Sequence, residues 1–270
     1  MPRVAVVGNL ACDVVDGGPP TPGGCPFFAA TAFRRLRRQG QIVTRLRPDD
    51  APLFGPSLDG LGVPVALLAA DATSGFSLDY DGEEREMGVT AIGETWRPAD
   101  AEALAPDVEW VHVAPLLRSD FPPAALASLA AGRRLSLDGQ GLVRVPGIGR
   151  LQIDAAYDPA ALEHVTALKL SEEEALVVAG GPFDRRAAAA LGVPEVLLTL
   201  GSHGAVVFVE GRETFVPAAW AVLGVQTTGA GDAFMVAYAV ARVEGRDAVD
   251  AARFASRLVA EMLEERGRRA

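Results

Sequence analysis

A short segment near the C-terminus has the residue types of an anion-binding turn. Residues 226–232 read Gln-Thr-Thr-Gly-Ala-Gly-Asp, and the apolar, helix-forming stretch Ala233–Arg242 follows at once. Two glycines and an alanine leave backbone amides unobstructed at a helix N-terminus, where the helix dipole favours an anion such as a migrating phosphoryl group. Asp232 falls in the first helical turn, where its carboxylate is placed to accept a proton from a hydroxyl nucleophile. The segment indicates phosphoryl transfer, unless Asp232 only complements the dipole and the glycines only form a tight turn.

Two other classes of nucleotide-binding protein are excluded by their missing motifs. The first strand-to-helix turn, Gly8–Asp13, lacks the Gly-x-Gly-x-x-Gly pattern of dinucleotide-binding oxidoreductases. A Walker A loop needs a Gly-Lys-Ser/Thr step, whereas Lys169 stands between two leucines and is the only lysine of the chain. These observations argue against a nicotinamide-dependent dehydrogenase and against an ordinary P-loop NTPase.

Lys169 is itself unusual, because the chain has 25 lysine and arginine residues in total and all the others are arginine. Two interpretations stay open for it. It is either a surface lysine left by chance or a compact point charge placed beside a phosphate, a role in which arginine is a poor substitute.

Composition limits the possible partners and compartments. The net charge of −10 argues against a nucleic-acid partner, because non-specific binding to a phosphate backbone needs clustered positive charge. Apolar runs stay shorter than the roughly eighteen residues of a membrane helix, and the N-terminus lacks the features of a signal peptide. Cys12 and Cys25 are too few for a disulfide framework. We expect a soluble, cytoplasmic protein that binds small molecules and neither nucleic acid nor membrane.

Strand-like and helix-like segments alternate along most of the chain. Near-continuous apolar runs predict strands at Val4–Val7, Ile42–Leu46, Val65–Leu68, Trp110–Ala114, Leu135–Asp138, Leu168–Leu170, Val196–Leu200 and Ala205–Val209. Helical periodicity or a start signal predicts helices at Pro26–Arg38, Pro98–Leu104, Pro122–Ala131, Ser171–Ala179, Asp184–Leu191, Ala230–Arg242 and Arg246–Arg266. This order predicts an α/β fold with a mostly parallel sheet and helices on both of its faces.

Residues 76–89 interrupt the alternation. Two strand-like halves, Phe76–Tyr80 and Glu84–Val89, flank an Asp81-Gly82 turn and are typical of a β-hairpin with one polar face. We expect a small flap beside the main sheet. Because no linker or internal repeat divides the sequence, residues 1–270 are expected to form a single domain.

Motifs near both ends of the chain resemble those of the ribokinase or PfkB-type carbohydrate kinases. Thr227–Asp232 is similar to the C-terminal signature of that family, and Pro22–Ala29 resembles its N-terminal double-glycine motif. Further matches are Asp13 at the end of the first strand, Lys169–Ala175 at the family's Asn-x-x-Glu, and Thr199–Gly204 at its nucleotide-side Thr-Leu-Gly-x-x-Gly. The resemblance implies a ribokinase-like three-layer sandwich in which the hairpin supplies a small β lid, and a homodimer formed through that lid is a further expectation.

The resemblance also implies roles for individual residues. Asp232 would be the catalytic base, beside an anion hole formed by Gly229, Ala230 and Gly231. The implied nucleotide-side residues are Lys169, Ser171, Glu174, Thr199, Gly201 and Gly204. The implied acceptor-side residues are Asp13, Gly23, Gly24, Phe28, Asp138, Gln140 and Arg144. ATP and Mg²⁺ are the implied cofactors, with Glu174 reaching the metal through water.

Three residues depart from the family pattern. Gln226 replaces the usual aspartate in a region that often helps to hold a monovalent cation, which argues against activation by such a cation here. Ser171 replaces an asparagine, and Ser171-x-x-Glu174 is also a capping box for the following helix. Phe28 stands where ribokinases carry a sugar-contacting asparagine, which makes ribose a weaker candidate.

The pair Phe27-Phe28, together with Asp138–Arg144, resembles the inositol-kinase-like branch of the family. We therefore predict an ATP-dependent kinase that phosphorylates a hydroxyl of a small polyol or sugar, with an inositol-like cyclitol slightly preferred. Two alternatives stay open. One is a nucleoside kinase of the same fold, in which Phe27 or Phe28 stacks on the base. The other is a non-catalytic sensor that holds nucleotide and polyol without turnover.

Overall fold

The strands form two sheets in a computed structural model, which describes residues 3–81, 84–222 and 224–268. The larger sheet runs in the order β14 (Arg212–Pro217), β13 (Gly204–Val209), β12 (Glu195–Thr199), β11 (Ala167–Ser171), β9 (Arg134–Asp138), β8 (Trp110–Ala114), β1 (Val4–Gly8), β4 (Gly40–Leu46) and β5 (Val65–Ala69). Pairing is parallel from β5 to β12, and β13 and β14 add an antiparallel edge. The central strands are apolar throughout because both faces of this sheet are covered.

Helices cover the two faces of the larger sheet. They are α1 (Cys25–Leu36), α2 (Ala51–Asp59), α3 (Pro123–Ala130), α4 (Gln140–Val143), α5 (Glu172–Ala179), α6 (Arg185–Ala190), α7 (Ala230–Val243) and α8 (Ala248–Gly267). Strand β1 shows the layering directly. Val4 and Val6 belong to the core that contains α1, α7 and α8, while Ala5 and Val7 belong to the core that contains residues of α3, α5 and α6. The predicted sheet with helices on both faces is confirmed.

The smaller sheet contains the hairpin that the sequence predicts as a lid and is called the lid sheet below. Its strands follow the order β10 (Gly149–Arg150), β7 (Glu84–Ala91), β6 (Ser74–Asp81), β2 (Ala11–Val15) and β3 (Thr21–Gly23). Strands β6 and β7 pair antiparallel, which confirms the predicted hairpin and extends it at both ends. Gly82, placed by the sequence in the hairpin turn, lies outside the described residues.

Asp13 requires a correction. It does not end the first strand, as the sequence predicts, but lies in the middle of β2, which belongs to the lid sheet. After β1 the chain turns at Asn9 and Leu10 and crosses from one sheet to the other. Strand β2 is only partly buried, and its sequence Ala-Cys-Asp-Val-Val lacks the apolar run that identifies the buried strands.

Where a helix or strand was predicted, its boundaries agree with the prediction to within a few residues, whereas β2, β3, β10, β14 and α4 were not predicted. The predicted helix at Pro98–Leu104 is a 3-10 helix, Pro98–Ala103, and α2 was not predicted because it contains Pro56, a residue that interrupts helices. Within the described ranges, no helix combines the length and the apolar character that crossing a membrane requires.

Candidate active site

Helix α7 begins at Ala230 after the Gly229 turn, as the sequence predicts, but the predicted anion hole of Gly229, Ala230 and Gly231 needs a correction because the Ala230 amide is bonded within the turn. Gly229 caps the helix in the left-handed conformation, with φ of 77°, and a β-carbon there would lie 2.1 Å from the ring of Phe28. The amide of Ala230 donates to Thr227 O at 2.9 Å, a bond that closes the turn. The amides of Gly231 and Asp232 come next, in the first helical turn, where no intrahelical acceptor is available. Glycine is therefore required at 229, and the next amides can serve an anion.

Asp232 is half-buried in the first turn of α7. Desolvation raises the pKa of Asp232 to about 6, and the carboxylate of Asp138 adds to the rise. A hydrogen bond from Cys25 and the charges of Lys169 and Arg144 oppose it. A carboxylate whose pKa lies near neutrality is suited to accept a proton from a substrate hydroxyl.

Lys169 lies beside this turn and not on the surface. Its Nζ atom is 3.2 Å from Asp138 Oδ2 and 3.8 Å from Glu174 Oε2, and the residue is only 8% exposed. A β-carbon on Gly231 would be 3.4 Å from Nζ. Burial alone would lower the pKa of Lys169, but the two carboxylates outweigh it and raise the pKa above its ordinary value. The lysine is a fixed positive charge next to the anion-binding amides.

Ser171 and Glu174 form the predicted capping box at the start of α5. Glu174 N donates to Ser171 Oγ at 3.2 Å, and Ser171 N donates to Glu174 Oε2 at 2.8 Å. Burial raises the pKa of Glu174 and Lys169 counteracts the rise. The box therefore has a second effect, because it fixes the Glu174 carboxylate at the edge of the charged cluster.

The predicted acceptor side includes Asp13 and the two glycines of the N-terminal motif, which lie together in the structure. A β-carbon on Gly23 would lie 1.9 Å from Asp13 Oδ2, so only glycine leaves room for this carboxylate. Gly24 has φ of 105°, and a β-carbon there would lie 2.6 Å from Asn9 O. Burial raises the pKa of Asp13 to about 6. The double glycine thus has a steric reason within the protein, namely the close approach of β2 and of the β1–β2 turn.

Asp138, Gln140 and Arg144 surround the α4 turn. Asp138 Oδ1 accepts from Gln140 N at 3.3 Å, while the Gln140 side chain donates to Pro115 O. Desolvation by burial opposes ionisation of Asp138, but Lys169 outweighs it and holds its pKa below the ordinary value. The charge of Arg144 acts on both Asp232 and Glu174. The structure therefore brings Asp138 and Arg144 into the charged cluster, whereas the Gln140 amide is turned towards the backbone.

The residues predicted on the nucleotide side have contacts within the protein. Thr199 Oγ1 donates to Leu170 O at 3.1 Å. Gly204 has φ of 115°, and a β-carbon there would lie 2.2 Å from Val216 O of β14. Gly201 has φ of 52° and open space around it. Their contact with a nucleotide stays a prediction.

Cys25 was not singled out by the sequence analysis as a site residue. It is the first residue of α1, directly after the double glycine, and its thiol interacts with Asp232. Burial and the Asp232 carboxylate raise the pKa of Cys25 well above its ordinary value, so the thiol keeps its proton and can donate it in a hydrogen bond. The one feature of the sequence that could have identified Cys25 as a site residue is its position within the N-terminal double-glycine motif.

Comparison with known proteins identifies the family of this chain. A family model described as pfkB family carbohydrate kinase matches residues 57–270. This chain belongs to the PfkB family of carbohydrate kinases. PfkB kinases are phosphotransferases that act on sugar hydroxyls, so the predicted enzyme class is confirmed.

Individual PfkB relatives extend the comparison. A ribokinase of Arabidopsis thaliana is 46% identical over 70 residues, which is 24% of this chain and 18% of the length of that relative. A pyrophosphate-dependent kinase of the ribokinase family, solved with a pyrophosphate analog and myo-inositol, superposes with a TM-score of 0.82 at 24% identity, over 97% of this chain and 95% of its own. Arabidopsis thaliana ribokinase with ribose and ATP gives 0.76 at 24% identity, over 97% and 93%. The ribokinase-like fold is thereby confirmed.

Proposed function

We propose that this PfkB protein transfers the γ-phosphoryl group of ATP to a hydroxyl of a small polyol or sugar, with an inositol-like cyclitol slightly preferred. The observation that carries the proposal is the position of Asp232. Its carboxylate, with a pKa of about 6, adjoins the first amides of α7 and the ammonium of Lys169. A base, an anion site and a fixed cation at one point are what phosphoryl transfer to an alcohol requires.

In the proposed reaction the acceptor hydroxyl gives its proton to Asp232 as its oxygen attacks the terminal phosphorus. The new oxygen–phosphorus bond forms while the bond to the leaving ADP breaks, and the ADP takes that electron pair. The Gly231 and Asp232 amides and Lys169 stabilise the charge on the transferred group, because donors fixed in a partly desolvated site need little reorganisation. The residues thus have separable roles, with Asp232 acting on the acceptor and Lys169 on the phosphoryl group.

Mg²⁺ fits this site as a companion of the phosphates. No cluster of three or more His, Cys, Asp and Glu side chains suited to a metal occurs among the described residues. Mg²⁺ commonly keeps several waters and is held by one or two carboxylates together with substrate phosphates. Glu174 is the carboxylate that we assign to it, through water, and the ion would neutralise charge on the donor phosphates.

The acceptor preference is supported by the surroundings of Asp13. Its half-buried carboxylate lies against Gly23 at the base of the lid sheet, where it can accept hydrogen bonds from substrate hydroxyls. The ring of Phe28 packs against Gly229, so its position supports a role in shaping the anion-hole turn as much as a contact with the acceptor. A polyol offers several hydroxyls that can donate to the Asp13 carboxylate. A purine base would have to stack on Phe28, whose ring already packs against Gly229. A polyol therefore fits this site better than a nucleoside.

Pyrophosphate is a second candidate donor, and one observation favours it. A cavity of about 240 Å³ beside Glu174 is lined by Arg144 and Arg150 together with Glu86 and Glu173, and Arg150 forms an ion pair with Glu86. Guanidinium groups bind phosphate oxygens in pairs, so Arg144, whose charge acts on Asp232 and Glu174, is the cation there that a short inorganic donor could meet. The pyrophosphate dependence of one structural neighbour makes this donor worth testing.

The decisive experiment is a turnover screen in which ATP and pyrophosphate are each offered with myo-inositol, ribose, fructose and nucleosides. We expect ATP with a cyclitol to give the highest kcat/KM, and Asp232→Asn serves as the inactive control. Preference for a nucleoside would replace the proposed acceptor, and preference for pyrophosphate would replace the proposed donor. Nucleotide binding without turnover of any acceptor would favour the sensor.

A further inference from the structure

The turn that leads into the anion hole is held by a cation from another part of the chain. Arg266, near the end of α8, directs its Nη1 atom to two backbone carbonyl oxygens, Thr228 O at 2.7 Å and Gln226 O at 3.2 Å. These carbonyls lie just before Gly229 and the amides of α7. One guanidinium nitrogen thus joins both sides of the turn on which the anion-binding amides depend.

The position of Arg266 is itself fixed from two directions. The preceding residue, Glu265, forms an ion pair with Arg35 of α1 and so attaches the end of α8 to α1. The guanidinium carbon of Arg266 lies 5.9 Å from the ring centre of Phe28, and that ring packs against Gly229. Arg266, Phe28 and Gly229 are therefore successive parts of one contact between α8, α1 and the start of α7.

Carbonyl oxygens that converge on one point are also the ligands of a bound monovalent cation, which the family resemblance implies for this region. Such an ion does not fit here, because Arg266 Nη1 already occupies the point on which the carbonyls of Gln226 and Thr228 converge. Gln226 also supplies no carboxylate to compensate a second positive charge. Two cations at this spacing would repel each other without a counter-ion between them.

We propose that Arg266 is a positioning residue whose guanidinium takes the place of a monovalent cation and holds the anion-hole turn in its active form. This inference rests on the proposed function only in so far as turnover is used to measure it. The Arg266 guanidinium would make phosphoryl transfer independent of potassium in the native protein. Removal of the guanidinium should create a dependence that the native protein lacks.

The test compares the native protein with Arg266→Ala in potassium, sodium and tetramethylammonium chloride at one ionic strength. The native kcat should vary by less than about twofold, since the built-in cation does not exchange. Arg266→Ala should lose about ten- to a hundredfold of kcat in tetramethylammonium, because small displacements of positioned groups have effects of that size. Adding potassium, or guanidinium at a non-denaturing concentration, should raise the kcat of Arg266→Ala several-fold above its value in tetramethylammonium. Arg268→Gln is the matched control, because Arg268 is an exposed arginine at the same helix end that pairs with Glu264, one turn earlier.

Binding of inorganic pyrophosphate, measured by calorimetry in the same salts, separates this inference from the proposed function. Arg266→Ala should bind it about tenfold more weakly in tetramethylammonium and recover with guanidinium. If the native protein turns over no acceptor, the kinase proposal fails while this measurement still decides the role of Arg266. If Arg266→Ala does not fold, Arg266→Gln takes its place.

Three results would overturn the inference. One is a native enzyme that needs potassium. Another is an Arg266→Ala protein that equals the native one in every salt. The third is a folded variant whose loss is the same in all salts and is not relieved by guanidinium, since a purely structural contact would behave in that way.

Discussion

Helix α7 has a buried charge cluster near each end, and the two clusters differ in how completely their charges are compensated. Near its C-terminal end, Glu195 at the start of β12 accepts hydrogen bonds from the Arg242 guanidinium and from the Tyr238 hydroxyl. Desolvation and this carboxylate raise the pKa of Tyr238, so the hydroxyl stays a donor. Each member of that cluster has a partner within it.

Near the N-terminal end of α7, three carboxylates share the ammonium of Lys169 and the charge of Arg144. Asp138 and Glu174 lie within 4 Å of Lys169 Nζ, and the charge of Asp232 acts on the same lysine. The pKa values of Asp232 and Glu174 are raised, which means that the protein environment opposes their ionised forms. We expect the compensated cluster to serve stability and the less compensated one, in which burial holds two carboxyls above their ordinary pKa, to serve binding and proton transfer.

The largest effect should follow from removing Asp232, the proposed base, from the less compensated cluster. Asp232→Asn should lower kcat by about a thousandfold, within the range that general bases contribute, while the dissociation constant for the donor changes little. Steady-state kinetics and calorimetric binding measure the two quantities. A kcat equal to that of the native protein would remove Asp232 from the mechanism.

A smaller loss should follow from changing the shape of the cation without its charge. Lys169→Arg places a planar guanidinium where a compact ammonium fits between Asp138, Glu174 and the turn at Gly231. Displacement of the phosphates by roughly an ångström would reduce kcat/KM by about a hundredfold. Steady-state kinetics of Lys169→Arg measure this loss, with a melting curve as the control for folding. Kinetics equal to those of the native protein would show that the ammonium does not contact the donor.

The compensated cluster should respond in stability alone. Arg242→Met leaves the Glu195 carboxylate buried without its cation and should lower the free energy of unfolding by about 2–3 kcal/mol, with kcat unchanged. Arg253→Met is the matched control, because its ion pair with Asp250 is exposed and should matter by less than about 1 kcal/mol. Denaturant unfolding measures the free energy of unfolding of both variants. A change in kcat for Arg242→Met would show that the two clusters are energetically coupled.

The pH profile should report the less compensated cluster. Because the pKa of Asp232 is about 6, its carboxyl is ionised at neutral pH and takes up a proton as the pH falls. We expect kcat/KM to fall at least tenfold for each pH unit below 6, since Asp13 has a pKa of about 6 and protonates over the same range. The acid limb should be shallower in Asp232→Asn, where only Asp13 contributes, and a native profile that is flat down to about pH 5 would contradict the assignment.

The sequence was most informative where local chemistry determines structure. The cap at Gly229, the capping box of Ser171 and the apolar strands around Trp110 depend on neighbours in the chain, and all three were predicted. Contacts between distant segments carry no such pattern. The bond from Arg266 to Thr228, the thiol of Cys25 beside Asp232 and the placement of Asp13 in the lid sheet each need the folded chain to be seen.

The smallest effect is a gain in stability from Asp232→Asn, the substitution expected to lower kcat the most. Desolvation raises the pKa of Asp232 from 3.8 to about 6, so the folded protein holds a proton on this carboxyl that the unfolded chain has released. The contribution of Asp232 to stability is therefore complete below the unfolded value and is lost as the pH rises through the folded one. An asparagine side chain has no charge to desolvate, so Asp232→Asn should melt a few degrees above the native protein at about pH 8, each kcal/mol being worth about 2–4 °C.

The difference in melting temperature between the two proteins should vanish towards about pH 4, where the native carboxyl is protonated in the fold. Burial also raises the pKa of Asp13 and of Asp120 to about 6, but both residues are present in both proteins and their contributions cancel in the difference. Thermal melts of the pair across this range measure it. A variant that is less stable at about pH 8, or a difference that does not depend on pH, would show that the charge of Asp232 is compensated within the fold as fully as that of Glu195.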